Sequence, residues 1–335
     1  MIVKRLAIDL GTWSTLIAVP GRGVIINEPS VVAVTADTDK ILAVGKAAEE
    51  MLGKTPESII AINPIRDGVI ASYRITEGML RYFFDKITGI FSFVRPEVMI
   101  AVPAGITSTE RRAVIDAAIS AGAKRAYVIK EPVAAALGAK IPIGTPSGHM
   151  ILDIGAGTTE VAVISLGDIV VSESVRIGGE EMDQAIIDYV RRKYKIIIGP
   201  KTAEKMKIKI GSALPLKREK TMEISGSNAI SNLPETLIVG SNDVASACED
   251  VWQQIIQTVK SVLQKTPPEL AADIIDKGVV MTGGGSALRR SDEMLSKITG
   301  IPCQAAEEPT LCVVKGTLTA LEHLDDFKEK VLWIK

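Results

Sequence analysis

Two short segments carry the residues best suited to hold a charged ligand. Asp9 closes an apolar run and is followed by Gly11 and Thr12; Asp153 closes another and is followed by Gly155, Gly157, Thr158 and Thr159. Turns rich in glycine and threonine put several backbone N–H groups on one concave face, and such a face binds phosphate oxygens without needing a lysine. Two aspartates at equivalent strand ends suit one divalent cation, held through water because magnesium gives up its hydration shell reluctantly. A single DLGT is explained as well by an ordinary Asx or glycine turn. The repetition tells against that reading, since IDLGT stands at 8–12 and LDIGAGT at 152–158. A third cluster, TGGGS at 282–286, follows an apolar stretch at 279–281 and precedes Ala287 and Leu288. That is the pattern of a strand-to-helix junction, where backbone N–H groups meet a nucleotide. Glu131 precedes Pro132, where a carboxylate either complements the first turn of a helix or acts on a bound substrate.

The elements that must position these residues are legible around them. Residues 2–8 and 16–19 read as two strands of a hairpin turning near Gly11, with Gly21 and Gly23 marking the next turn. Residues 150–152 and the β-branched run 161–164 repeat the arrangement, so an internal duplication with two related domains facing each other is the economical reading. Between them a strand at 98–102, a helix at 108–121 stopped by Gly122 and a strand at 126–129 alternate as in an α/β layer fold. Insertions are expected near 32–73 and 195–240. The fold class is therefore α/β, with two duplicated large units each carrying a smaller insertion. His149 is expected in a loop.

Composition bounds the remaining possibilities. The 335 residues and 47% hydrophobic content exceed what one core absorbs. A formal net charge of −1, from 39 basic and 40 acidic residues, supplies no field for nucleic acid or anionic lipid, so any membrane contact must be local and apolar. Cys248, Cys303 and Cys312 offer neither a disulfide framework nor a zinc site, which favours a reducing, cytoplasmic compartment. Neither the apolar core of a signal peptide nor an uninterrupted spanning segment is found. The P-loop sequence, the dinucleotide fingerprint, H-E-x-x-H and the nucleophile elbow are all missing, which removes the enzyme classes built on them.

Taken together, IDLGTWST, LDIGAGTTEVAVISLG and VVMTGGGSAL resemble the two phosphate loops and the adenosine loop of the actin, Hsp70 and sugar-kinase superfamily. NEPSVVAV, RDGVIA, VPAGITSTERRAVIDAA, EPVAAALGA and KTPPELAADIIDKG narrow the resemblance to the MreB/Mbl family of bacterial actin homologues, over nearly the whole chain. The resemblance implies four subdomains: 1–31 with 74–147, an inserted 32–73, 148–194 with 241–335, and an inserted 195–240. It implies ATP or ADP with Mg2+ in a central cleft, lined by Asp9, Gly11, Thr12, Trp13 and Ser14, by Asp153, Gly155, Ala156, Gly157, Thr158 and Thr159, and by Gly283, Gly284, Gly285, Ser286 and Ala287. TAEKMKIKIG would bring Glu204, Lys205, Met206 and Lys207 to the ribose and base. Asp9 and Asp153 would hold hydrated magnesium, Glu131 would position the attacking water and Thr158 would assist.

The resemblance further implies slow hydrolysis coupled to filament dynamics, a homopolymer of paired protofilaments, and a location at the inner face of the cell membrane. Phe91, Phe93 and Val94, in the run IFSFV at 90–94, would enter the membrane, although a short apolar run before a strand also packs inward. RodZ and the wall-elongation proteins are the implied partners, and no nucleic acid is. Trp13 and Ser14 replace the alanine and asparagine of the family's first loop, and Ala156 replaces a glycine of the second; Lys130 and Gly179 also depart. A small-molecule kinase of the same superfamily and a hydrolysis-deficient scaffold remain the alternatives.

Overall fold

The computed structural model describes residues 5–89, 95–324 and the backbone of 333–334. Its frame is two mixed sheets of the same construction. In the first, Gly23–Pro29, Ser14–Val19 and Arg5–Leu10 form an antiparallel meander. Glu97–Val102 and then Arg125–Lys130 continue it in parallel, and Trp333–Ile334 pairs antiparallel at the far edge. The second repeats the order, with Asp168–Val175, Thr159–Ser165 and His149–Ile154 as the meander and Val279–Thr282 and Cys303–Ala305 added in parallel. The duplication inferred from two aspartate loops is thus a duplication of whole sheets. His149 is correspondingly not a loop residue. It opens its strand, 8% exposed, because the apolar run behind it needs a first ladder partner.

The meanders form where β-branched residues alternate between two faces. Leu152 and Ile154 point into the core of the second domain, while Ile151 joins Ala162 and Ile164 in a separate cluster with Ala7, Met99 and Tyr127 of the first. A shared apolar layer therefore lies between the domains, with the loops at its rim. The helix Ser108–Ser120 begins with a full capping box, Thr107 and Glu110 satisfying each other's backbone N–H groups. Smaller three-stranded sheets occupy the inserted regions, one of Ile41–Val44, Val32–Thr35 and Ile59–Ile62, the other of Ile196–Ile197, Thr221–Asn228 and Pro234–Gly240.

Chain order groups residues 241–335 with the second domain, and one helix within that stretch makes its contacts elsewhere. The helix Cys312–Glu322 packs on the first sheet and against the helix Glu131–Gly138. The two cross through reciprocal glycines, since a Cβ on Gly138 would overlap Cys312 O and one on Gly316 would overlap Ala134 O. Chain order suggested the second domain; backbone contact that only glycine permits placed the helix on the first.

Candidate functional site

The two phosphate-type loops fold alike. Gly11 N–H donates to Ser14 O at 3.1 Å and Gly155 N–H to Thr158 O at 2.8 Å, the same bond in each hairpin. They approach so closely that a Cβ on Gly157 would stand 3.0 Å from Thr12 Oγ1. The third glycine cluster lies against the second loop. Gly283 adopts a φ of 80°, and a side chain there would press 2.9 Å from Asp153 Oδ1 and overlap Ile154 O. The strand-to-helix junction expected here is instead a 3-10 turn, Gly284–Ala287, before the helix Ser291–Thr299.

These loops enclose a cleft of about 500 Å³, within the usual range for a small-molecule site. Asp9, Gly11, Thr12, Trp13, Ser14, Glu131, Asp153, Gly155, Ala156, Gly157, Thr158, Glu204, Lys207, Gly283, Gly284, Gly285 and Ala287 line it. Four expected residues do not. Met206 is buried in the core of the second domain, on the helix face opposite the cleft, and Lys205 points to solvent. Thr159 is fully buried with its hydroxyl on Ile177 O at 2.7 Å. Ser286 is buried with its hydroxyl on Gly283 O at 2.7 Å, so it shapes the turn from behind. Phe91, Phe93 and Val94 lie outside the described residues.

Several lining residues went unforeseen. Gly68 tips the hairpin of Ile65–Arg66 and Val69–Ile70 and donates its N–H to Thr12 Oγ1 at 3.1 Å. Its signal was the Asp67-Gly68 pair, both at positive φ, between short apolar runs. Asp183 carries a buried Oδ1 with no partner, while its Oδ2 accepts from Lys207 Nζ at 2.7 Å. Arg289 caps the helix Pro200–Ile210 through Lys209 O and Gly211 O, each at 3.0 Å, and closes the apolar end with Leu288 and Ile208.

Four carboxyl groups crowd the opposite end. Burial, with the Asp153 charge added, pushes Asp9 from 3.8 up to about 7. Burial raises Asp153 too, against the Thr282 hydroxyl that donates to it at 2.7 Å. Glu131, the first residue of its helix, is driven well above the carboxylate range by burial and then by Glu160, Asp9 and Asp153. Glu160, which sequence reading passed over, is raised to about 7 by burial against the Ala104 N–H and the Ser174 hydroxyl that hold it down. Its signal was one glutamate inside an apolar strand run. No side-chain cation is among the groups acting on these four. Among the described residues no three such groups stand close enough to ligate one ion directly. Asp9 and Asp153, near enough for the charge of one to raise the other, fit a divalent cation whose charge would offset theirs.

A family model described as MreB/Mbl protein matches residues 3–329. The cell shape-determining protein Mbl of Bacillus cereus is 45% identical over 332 residues, 99% of this chain and 100% of that protein. The structure of MreB5 of Spiroplasma citri bound to ADP superposes with a TM-score of 0.92 at 38% identity, covering 97% of this chain and 98% of that one, and the same protein bound to AMPPNP matches equally. The MamK double helical filament shares the fold, with a TM-score of 0.81 at 21% identity over 95% and 98% of the two chains.

Proposed function

The chain belongs to the MreB/Mbl family, and on that premise we propose that it is an ATP-binding, actin-like cytoskeletal protein that polymerises into membrane-associated filaments and so organises cell-wall synthesis and cell shape. The observation that carries this reading is the convergence of equivalent glycine-threonine loops, one from each domain, on one cleft with Asp9 and Asp153 at its charged end. An apolar end closed by Leu288 and Ile208 and a phosphate cradle with carboxylates behind it suit a nucleoside triphosphate. The structures of a relative with ADP and AMPPNP support the same ligand.

In this reading Asp9 and Asp153 would hold Mg2+, which when bound would supply positive charge against the phosphates. The chain's own groups do the positioning that phosphoryl transfer chiefly needs. Backbone N–H groups of both loops orient the phosphates. Glu131, with a carboxyl group that accepts protons more readily than an exposed glutamate, orients the attacking water, and Thr158 adds a hydroxyl beside it. Hydrolysis is slow and times filament turnover. Self-association is supported by the family and by the filament that MamK forms on the same fold. Contact with the membrane surface, with RodZ and with the elongation machinery belongs to the same reading. Among the described residues no helix is long and apolar enough to cross a membrane.

The test is to mix the purified protein with ATP and magnesium, pellet it, and image it by electron microscopy with and without anionic liposomes while phosphate release is followed. Nucleotide-dependent filaments on the liposomes are expected, with a slow release that Glu131→Ala lowers by about tenfold or more. A chain that stays monomeric throughout while phosphorylating a sugar would replace this reading with a small-molecule kinase.

A further inference from the structure

Glu160 is a carboxylate for which the chemistry above has no use. It stands in the strand Thr159–Ser165 with 1% of its surface exposed. Its direct strand partners are Asp153 on one side and Ser174 on the other, so the three side chains share one face of the sheet. On that face Ile151, Ala162 and Ile164 join the apolar layer between the domains. From there Glu160 reaches the first domain, where the N–H of Ala104 donates to both of its oxygens, at 3.0 and 3.1 Å. A buried carboxylate is unfavourable unless it is well paired. One N–H and the Ser174 hydroxyl are few donors for a group with about four acceptor positions. A residue needed only to tie two strands would do so at lower cost as a neutral amide.

The tie lies next to the reacting end of the cleft. Ala104 follows Val102 by two residues, and Val102 pairs in register with Lys130, the residue before Glu131. Glu160 therefore grips the end of the strand pair from which Glu131 starts, and of the neighbouring charges it is the one that acts most strongly on Glu131. We propose that Glu160 is a positioning residue for ATP hydrolysis: it locks the first domain to the second at Ala104 and so holds in place the end of the strand pair from which Glu131 starts. This rests on the reading of Glu131 given above.

Glu160→Gln keeps the side-chain shape and an acceptor for the Ala104 N–H but replaces the carboxylate; Glu160→Ala removes both. ATP affinity and single-turnover phosphate release are measured for each, with wild type and Glu131→Ala alongside. The Gln variant is expected to bind ATP within about threefold of wild type and to release phosphate about tenfold more slowly or worse. The Ala variant is expected to be as slow and to bind about tenfold more weakly, because the interdomain tie is lost as well. A merely structural role would move affinity and rate together, so the split is the decisive readout. A Gln variant that releases phosphate at the wild-type rate overturns the proposal, as does one that loses affinity and rate in equal proportion. If the Ala variant does not fold, the Gln variant alone decides. If Glu131→Ala is as fast as wild type, or wild type releases no phosphate, the reading of Glu131 fails and the role of Glu160 falls with it. A slow Glu131→Ala beside a normal Gln variant sinks only the inference about Glu160.

Discussion

At the scale of single residues the cleft is governed by carboxyl groups that resist ionisation. The folded chain holds Asp9 near 7, whereas an unfolded chain would hold it near 3.8. Between those values the unfolded state is the more ionised, so the folded state is disfavoured as pH rises from about 4 and the full effect is reached above about 7. Asp9→Asn removes that dependence. In the ligand-free protein it is expected to raise stability relative to wild type, by about 1 kcal/mol at pH 4.5 and by as much as about 4 kcal/mol at pH 8. Thermal melts across that range check the trend, and a constant difference at every pH would contradict it. The same substitution is expected to weaken magnesium-dependent ATP binding, so the position trades stability for function.

At the scale of elements, two junctions bear most on the site. Glu131 and the cleft-lining Val313 sit in the first turns of the crossed helices Glu131–Gly138 and Cys312–Glu322, so the glycine crossing fixes both at once. Gly316→Ala would force those backbones apart and is expected to cost about 2–3 kcal/mol, more than an exposed helical Gly→Ala change, which normally stabilises. Chemical denaturation measures this, and a neutral or stabilising outcome would show that the helices have room to move. The capping box on Ser108–Ser120 is a milder case. Thr107→Ala is expected to lose about 1 kcal/mol without touching nucleotide affinity, because that helix end is exposed and Thr107 does not line the cleft.

At the scale of the whole molecule the near-zero net charge limits how the chain meets a membrane. With a formal charge of −1, long-range attraction to anionic lipid is negligible, and a few inserted side chains at about 1.5–3 kcal/mol each would give weak binding per protomer and strong binding per filament. Liposome co-sedimentation of assembled protein is therefore expected to persist when salt is raised several-fold, whereas an electrostatically held protein would be released. Release on raising salt, with filaments intact by microscopy, would assign the contact to charge instead.

The sequence by itself determined whatever depends on neighbours along the chain. Glycine, threonine and aspartate in a fixed order force a turn of one shape, so Asp9 with Gly11 and Asp153 with Gly155 announced two equivalent loops, and alternating β-branched residues announced the strands that carry them. Tertiary structure decided whatever depends on which side of an element meets which partner. Within one helical turn Glu204 and Lys207 face the cleft while Met206 faces the core and Lys205 faces water. Thr158 and Thr159 are adjacent, yet strand alternation sends one to the cleft and the other to Ile177 O. Glu160 gained its place only when Ala104, 56 residues earlier, came within 3.0 Å. No local pattern encodes that distance, because it is set by how two separately folded sheets pack against a shared apolar layer.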